Sequence, residues 1–377
     1  MENKDVLVLG GNHYNTLWVV RSLGLVGFIP TLIVLNEDSD RSFVQKSKYV
    51  KKRYVVSSCD EMLSVLIDLN FDRKISLFSS SDNISDFIDK HYYVLNHKYY
   101  LPNCKNIEGA LSKWMDKKVM NEAALNAGFN IPYSMELSTN EYETLNYETI
   151  KYPCIIKPLK SSQGSKNDFN ICNNKDELYK SLNKIKDNCS KVLIQEYLKP
   201  DFEISILCMR HRNSQINLIP GLLVKSKTCK SVYNLGMPAY AYVQKEIQPF
   251  IDEKVVNRFL KELDYDGLYS IHFFVSINIA YFLEINLRVD GDLFVYTRSG
   301  VNMPYYWDML IHKKSIQKEQ LEVENNTYGM TEISYIKYLD WKHPIKVLKE
   351  WWKTDCYSIF SWSDIKPFIY KFLYEFH

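Results

Sequence analysis

Glu284, Asn286 and Arg288 stand two residues apart in the run Tyr281-Phe282-Leu283-Glu284-Ile285-Asn286-Leu287-Arg288. Side chains on a strand alternate between faces, so this spacing aims a carboxylate, a carboxamide and a guanidinium to one side. The first two offer hard oxygen ligands suited to Mg²⁺, and the third is a planar fork for phosphate oxygens. The end of this apolar strand is therefore a candidate site for a magnesium–nucleotide complex. A strand end with three solvated polar residues is the alternative.

Residues of related chemistry lie upstream. Lys157 closes the apolar run Pro153-Cys154-Ile155-Ile156-Lys157-Pro158, where an ammonium can reach a phosphate. The loop Lys160-Ser161-Ser162-Gln163-Gly164-Ser165-Lys166 follows, with backbone N–H groups and hydroxyls for the same phosphates. Lys117, in Met115-Asp116-Lys117-Lys118, adds a second positive charge, and Glu203 can accept hydrogen bonds from ribose hydroxyls. Taken singly, each reads as a solvated surface residue; their order and spacing join them. No Ser–His or Cys–His nucleophile is evident. Phosphoryl transfer needs none, because its catalysis is mainly positioning and charge neutralisation.

These residues must be positioned by elements legible in the hydrophobic pattern. The first hundred residues alternate strand and helix: Val6–Leu9, a helical pattern to Leu23, Pro30–Leu35, then strands near 53–56 and 75–78. Such alternation predicts a parallel sheet covered by helices. Gly10-Gly11 suits a tight turn into a helix N-terminus, where anions bind, but the full G-x-G-x-x-G is absent and a purely structural turn explains it as well. Ser79-Ser80-Ser81-Asp82 follows a strand in the same way and can line a cleft. Leu111 to Ala127 reads as one helix, capped by Gly128 and blocked by Ile131-Pro132. Further on, Phe169–Cys172 reads as a returning strand, Asp176–Ile185 as an amphipathic helix, and Val192–Leu198 and Glu203–Cys208 as strands. Segments 271–276 and 280–286 form a hairpin turning at Ile277-Asn278. The tail from about 316 holds Trp341, Trp351, Trp352 and Trp362, with helical stretches at 344–353 and 364–374. Aromatic residues with interspersed Lys mark a helix on a membrane surface or one packing back on its own protein.

Composition narrows the class. The chain has 377 residues, enough for two or three domains, and its 46% apolar and 24% charged residues are ordinary for a globular protein. A net charge of +2 gives no electrostatic case for nucleic acid. Eight Cys lack C-x-x-C spacing and several sit in apolar runs, which argues against zinc and for a reducing compartment. Met1 to Asp5 leads into a strand rather than a signal peptide, and no apolar stretch reaches the roughly 18 residues of a membrane span. A cytoplasmic location is the expectation.

The order of these motifs resembles the ATP-grasp superfamily over roughly residues 106–310. The matching pieces are Met115-Asp116-Lys117, Asn126-Ala127-Gly128 with Ile131-Pro132, Tyr152 to Pro158, Val192 to Leu198, Glu203 and Phe282 to Arg288. Glu284 to Arg288 continuing to Leu293-Phe294-Val295 and Gly300-Val301-Asn302 is most similar to the D-aspartate ligase and carbamoyl-phosphate-synthase-like branch. The resemblance implies an α/β chain: a Rossmann-like parallel-sheet domain (1–105), two grasp subdomains (106–190 with the phosphate-covering loop, 191–315 with the metal site) and a helical, aromatic C-terminal extension (316–377). It implies ATP and Mg²⁺ as cofactors and an acylphosphate route to an amide bond. Small-molecule carboxylate and amine substrates follow, with no nucleic acid, no membrane span and room for a homodimer.

Residue by residue, the resemblance makes Lys117, Lys157 and the loop residues Ser161, Ser162 and Gly164 phosphate contacts. Gln195, Glu196 and Leu198 line the adenine edge, and Glu203 meets ribose. Glu284 and Asn286 hold Mg²⁺, and Arg288, with Lys157, carries the phosphoryl transfer. Lys225 and Lys227, which read equally well as an exposed strand edge, and Asp290 and Asp292 are expected near the substrate. One departure stands out. The family's acidic ligand on the first hairpin strand is His272 here, counted with the metal site although neutral imidazole ligates Mg²⁺ poorly. Either the site works with Glu284 as its single strong carboxylate, or Asp290 or Asp292 compensates, or the chain is a degenerate nucleotide-binding protein. A Rossmann-type oxidoreductase rests only on Gly10-Gly11, with Glu37 and Asp38 as its acidic candidates.

Overall fold

The alternating runs of the N-terminal segment build one parallel sheet. In chain order they are β1 (Asp5–Gly11), α1 (Tyr14–Leu25), β2 (Ile29–Leu35), β3 (Lys52–Val56), α2 (Cys59–Asp68), β4 (Ile75–Ser79), α3 (Asp82–Asp89), α4 (Tyr92–Leu95) and β5 (Tyr99–Tyr100). The strand order is β3-β2-β1-β4-β5, parallel throughout. Val6 to Leu9 and Leu32 to Val34 are fully buried, as expected of strands covered on both faces. The computed structural model describes residues 4–36, 42–159, 170–212, 239–241, 249–317, 320, 322–323, 326–337, 339 and 342–375. Glu37, Asp38 and the loop at 160–166 fall outside these residues, as do Lys225 and Lys227.

Gly10 has a steric reason. A Cβ there would lie 2.1 Å from Thr16 Oγ1 and 2.2 Å from Ser80 Oγ. Those two hydroxyls hydrogen-bond each other at 2.7 Å, stitching α1 to the end of β4. Close packing therefore accounts for this glycine.

The next segment contains β6 (Asn103–Cys104), α5 (Ala110–Lys113), α6 (Lys117–Ala127), β7 (Ser134–Ser138), β8 (Cys154–Pro158), β9 (Asn170–Cys172), α7 (Lys175–Ile185) and β10 (Lys191–Glu196). The helix expected from Leu111 to Ala127 is broken at Trp114–Asp116. Asp116 adopts extended dihedrals and its side chain accepts from the N–H groups of Lys118 and Val119, so it starts a new helix. Gly128 closes α6 in the left-handed region at φ 105°, the cap its position implied. Strands β7-β10-β8-β9 form an antiparallel sheet whose inner face packs on Leu178, Leu182 and Ile185 of α7.

Then follow β11 (Phe202–Arg210), β12 (Ala239–Ala241), α8 (Glu253–Leu263), β13 (Tyr265–Ser276), β14 (Ile279–Asn286), α9 (Leu293–Arg298) and α10 (Met303–Ile311). β11-β13-β14 is an antiparallel sheet. Ile277 and Asn278, both at positive φ (51° and 61°), make the tight turn of its hairpin. Phe273, Phe282, Ile285 and Leu287 face a core shared with α6 and α8. Burying each such side chain contributes about 1.5–3 kcal/mol, which holds the opposite, polar face in place.

The remaining elements are β15 (Tyr328–Met330), α11 (Glu332–Lys337), α12 (Pro344–Lys353), β16 (Cys356–Tyr357) and α13 (Lys366–Glu375). β12, β15 and β16 make a three-stranded sheet. This tail packs back on α1: Arg21 pairs with Asp364 at 3.0 Å with both side chains buried, and Trp18 Nε1 donates to Ser358 O at 2.6 Å. Glu332 accepts from the backbone of Ser358, Ile359 and Phe360. Among the described residues no helix is long and apolar enough to cross a membrane.

Candidate nucleotide site

One face of the β11-β13-β14 sheet collects the polar residues. Ser205 on β11 lies opposite His272 on β13, which lies opposite Glu284 on β14; Leu207, Ser270 and Asn286 form the adjacent row. Directly paired residues share a face, so Glu284 and Asn286 project together as their spacing implied. A register shift between His272 and Phe273 ends this row pattern. Glu203 sits one row further along the face, opposite Phe274.

Glu284 is half-buried and, among the described residues, makes no hydrogen bond or ion pair. Its charge is nevertheless felt by Lys117, Lys157, His272 and Arg288. Asn286 donates through Nδ2 to Ser270 Oγ (3.3 Å) and Asp290 Oδ2 (3.1 Å), which leaves its Oδ1 as the outward acceptor. These two oxygens are the open hard ligands of the face. Among the described residues no group of three or more His, Cys, Asp or Glu could hold a metal ion. The set suits Mg²⁺, which keeps waters and takes one or two protein oxygens together with substrate phosphates.

The two lysines approach from other elements. Lys117 is the first residue of α6 and Lys157 lies in β8; both are buried, at 7% and 8% exposure. Lys117 Nζ donates to Pro158 O at 3.3 Å, and Lys157 Nζ donates to Gln195 Oε1 at 2.9 Å. Burial, and then the neighbouring charge of Lys117, push the Lys157 amine down to about 8, partly offset by Glu284. Two ammonium groups desolvated side by side create a positive site that a polyphosphate would relieve.

Gln195 therefore serves Lys157 with its side chain. The backbone N–H groups of Glu196 and Tyr197 donate to Tyr133 O (2.8 Å) and Pro153 O (3.0 Å), so they are committed to the fold. Leu198 lies just beyond β10, half-buried. Ser161, Ser162, Gly164, Lys225 and Lys227 lie outside the described residues.

Arg288 is clamped. Its Nε and Nη2 donate to Asp82 Oδ1 (2.8 Å) and Oδ2 (3.1 Å), and Nη1 lies 3.2 Å from Asp290 Oδ1. Burial works against its charge, but Asp82 and Asp290 overcome it and hold the guanidinium firmly protonated. Asp290 Oδ2 meets Ser270 Oγ (2.5 Å) and His272 Nε2 (2.8 Å), besides Asn286. Burial opposes ionisation of Asp290 too, yet Arg288 and His272 keep its carboxyl well below the usual range.

His272, against the lowering effect of burial, is raised by Asp290 to about 9. A protonated imidazole has no lone pair for a cation, so His272 as placed serves Asp290. Asp290 in turn is saturated by its neighbours rather than open to substrate. Asp292 is 4% exposed and accepts from Ser205 Oγ at 2.5 Å, again inside the fold. Tyr14, the first residue of α1, completes this wall: its phenol is partly buried, and desolvation together with Asp290 and Asp292 pushes its pKa up. The Arg288–Asp82 pair and the Ser270–His272–Asp290 network escape sequence reasoning. Alternation alone points at Ser270, two residues before His272.

Residues 122–294 match the family model of the ATP-grasp domain. A formate-dependent phosphoribosylglycinamide formyltransferase of Saccharolobus solfataricus is 28% identical over 164 residues, 40% of this chain and 38% of that protein. A D-alanine–D-alanine ligase of Fervidobacterium nodosum is 28% identical over 170 residues, 41% of this chain and 51% of that one. The chain thus spans about half or less of the length of these relatives. Among solved structures, an L-amino acid ligase from Bacillus licheniformis superposes with a TM-score of 0.65 at 14% identity, covering 87% of this chain and 80% of that one. An N5-carboxyaminoimidazole synthetase from Staphylococcus aureus, complexed with ADP, gives a TM-score of 0.65 at 14% identity, covering 91% and 87%. These likenesses establish a shared fold.

Proposed function

We propose, from the match of residues 122–294 to the ATP-grasp domain, that the chain is an ADP-forming carboxylate–amine ligase. The observation that carries the reading is the Glu284 carboxylate, which makes no hydrogen bond or ion pair among the described residues, with Asn286 beside it, among Lys117, Lys157 and Arg288. A substrate carboxylate oxygen attacks the γ-phosphorus of ATP, the bond to the β–γ bridging oxygen breaks, and ADP leaves. An amine then attacks the acyl carbon, phosphate departs and an amide forms with loss of the amine proton.

In this reading Lys117 and Lys157 bind the polyphosphate, and Glu203 accepts from the ribose. Arg288, held charged by Asp82 and Asp290, stands against the transferred phosphoryl group. Glu284 and Asn286 would hold Mg²⁺, which neutralises phosphate charge during transfer. The carboxylate we favour is an amino acid or a sugar acid used in cell-envelope or surface-polysaccharide assembly. The test is ADP release that requires both a carboxylate and an amine, with hydroxylamine trapping the acylphosphate as a hydroxamate. ADP release that ignores both additions overturns the proposal.

A second reading draws on His272: the hairpin position expected to be acidic carries a cation, as in a nucleotide holder that has lost turnover. The two separate in one measurement. ATP binding without ADP formation across a panel of amino acids and uronic acids supports the holder, and robust turnover excludes it.

A further inference from the structure

Helix α12 carries apolar residues on two faces. Val347 is buried in a small core with Met330 and Tyr335, against which Trp351 and Tyr357 pack. Glu350 turns the same way and accepts from the Tyr335 hydroxyl at 2.7 Å. This face explains how the tail packs back on its own protein. The opposite stripe has no such explanation. Ile345, Leu348 and Trp352, spaced by three and four residues, are 69%, 70% and 92% exposed. Lys346, Lys349 and Lys353 are exposed beside them.

Further exposed apolar side chains lie beyond the helix in the same tail. Trp362 is 84% exposed, and Phe372 and Leu373 of α13 are 59% and 53% exposed. A chain of ring contacts links the inner face of α12 to Trp362 and α13: Trp351 to Tyr357 (5.7 Å), Tyr357 to Phe360 (5.7 Å), Phe360 to Trp362 (4.9 Å) and to Phe368 (5.2 Å), and Phe368 to Phe372 (6.2 Å). Clustered exposed aromatics of this size mark an interaction surface rather than scattered surface apolars.

We propose that the outer stripe of α12, together with Trp362 and the exposed side of α13, docks on an anionic bilayer surface. Charge decides between occupants. The exposed charges on α12 are three lysines, while its one carboxylate, Glu350, is turned inward. Asp355 just beyond it is tied to the Tyr328 backbone at 2.9 Å. Lysines flanking an apolar stripe reach headgroup phosphates while their methylene stems lie along the acyl boundary, and indole rings settle at the headgroup level. At ten residues α12 is too short to span a bilayer and fits in the plane of the interface. The inference stands independently of the ligase reading, since none of these residues belongs to the nucleotide site.

The experiment is vesicle flotation of the full chain. One vesicle set contains phosphatidylglycerol in phosphatidylcholine; the other is phosphatidylcholine alone. The protein is expected to float with the anionic set at low salt, with a blue shift of indole emission, and to be released by high salt. The double variant L348E/W352E should lose at least about tenfold of the vesicle-bound fraction, because two charges then face the acyl boundary. Its thermal unfolding and ATP affinity should not change, since both side chains project away from the core. K346Q/K349Q/K353Q should weaken binding to the anionic vesicles and flatten the salt response. No flotation with either set, or undiminished flotation of L348E/W352E, overturns the proposal. So does a concentration-dependent dimer in light scattering that L348E/W352E abolishes and vesicles do not displace, which would make the face a seam between copies.

Discussion

Asp82, the first residue of α3, grips Arg288, which lies just past the end of β14, through paired hydrogen bonds of 2.8 and 3.1 Å. The contact joins the N-terminal parallel sheet to the end of β14 across 206 positions of sequence. A two-pronged carboxylate–guanidinium pair fixes the plane of the guanidinium as well as its charge. The N-terminal segment thereby sets the aim of a residue in the grasp fold.

Asp82→Asn tests that coupling. The amide cannot receive both prongs, so Arg288 keeps its charge through Asp290 but loses its plane. Turnover should fall by up to about 100-fold with ATP affinity little altered, because misplacing a transition-state contact costs rate more than binding. Asp82 is 39% exposed at its side chain, so the stability loss should stay near 1 kcal/mol. Steady-state kinetics and thermal melts read the two effects separately.

Glu284→Gln keeps the shape of the proposed metal ligand and removes its charge. We expect turnover to drop by about 100-fold and the magnesium requirement to rise by about tenfold or more, since Mg²⁺ binding leans on carboxylate charge. ATP binding measured in EDTA should hold or tighten, as a negative charge facing Lys117 and Lys157 is gone. Full turnover in this variant would disprove the metal assignment.

Lys157 predicts a pH dependence. Its amine is pushed down to about 8, first by burial and then by Lys117, so it is charged below that value and neutral above it. ATP favours the charged form and raises the pKa in the complex. Affinity should therefore be flat below pH 8 and weaken above it, by up to about tenfold per pH unit, with proton uptake on binding. Titration calorimetry in buffers of different ionisation enthalpy measures that uptake. Lys157→Arg, which stays charged, should remove the slope.

His272→Asp exchanges the cation beside Asp290 for a second carboxylate. In EDTA at pH 8 the variant should lose about 2–3 kcal/mol, because a partly buried pair becomes a like-charge contact. Mg²⁺ should restore much of the loss by binding between the new carboxylate and Glu284, and should stabilise wild type less. Differential scanning fluorimetry with and without magnesium decides it. Equal responses of the two proteins would show that position 272 does not face the ion.

Much of this protein is determined by local pattern. Period-two alternation from Glu284 onward sends Ile285 and Leu287 into the core and Glu284 and Asn286 out, whereas Phe282, of the same parity as Glu284, reaches that core because the register shifts between His272 and Phe273. The same logic makes the parallel sheet, the cap at Gly128 and the hairpin at Ile277-Asn278 readable without coordinates. The break at Asp116 was hidden because one side-chain cap outweighs a continuous helical period. Tertiary structure alone decided the partners of the charged groups. That Arg288 meets Asp82, that His272 serves Asp290, and that Gln195 steadies Lys157 depend on which distant elements pack together. Charge pairing acts over a few ångströms in space, whereas sequence reports only neighbours along the chain.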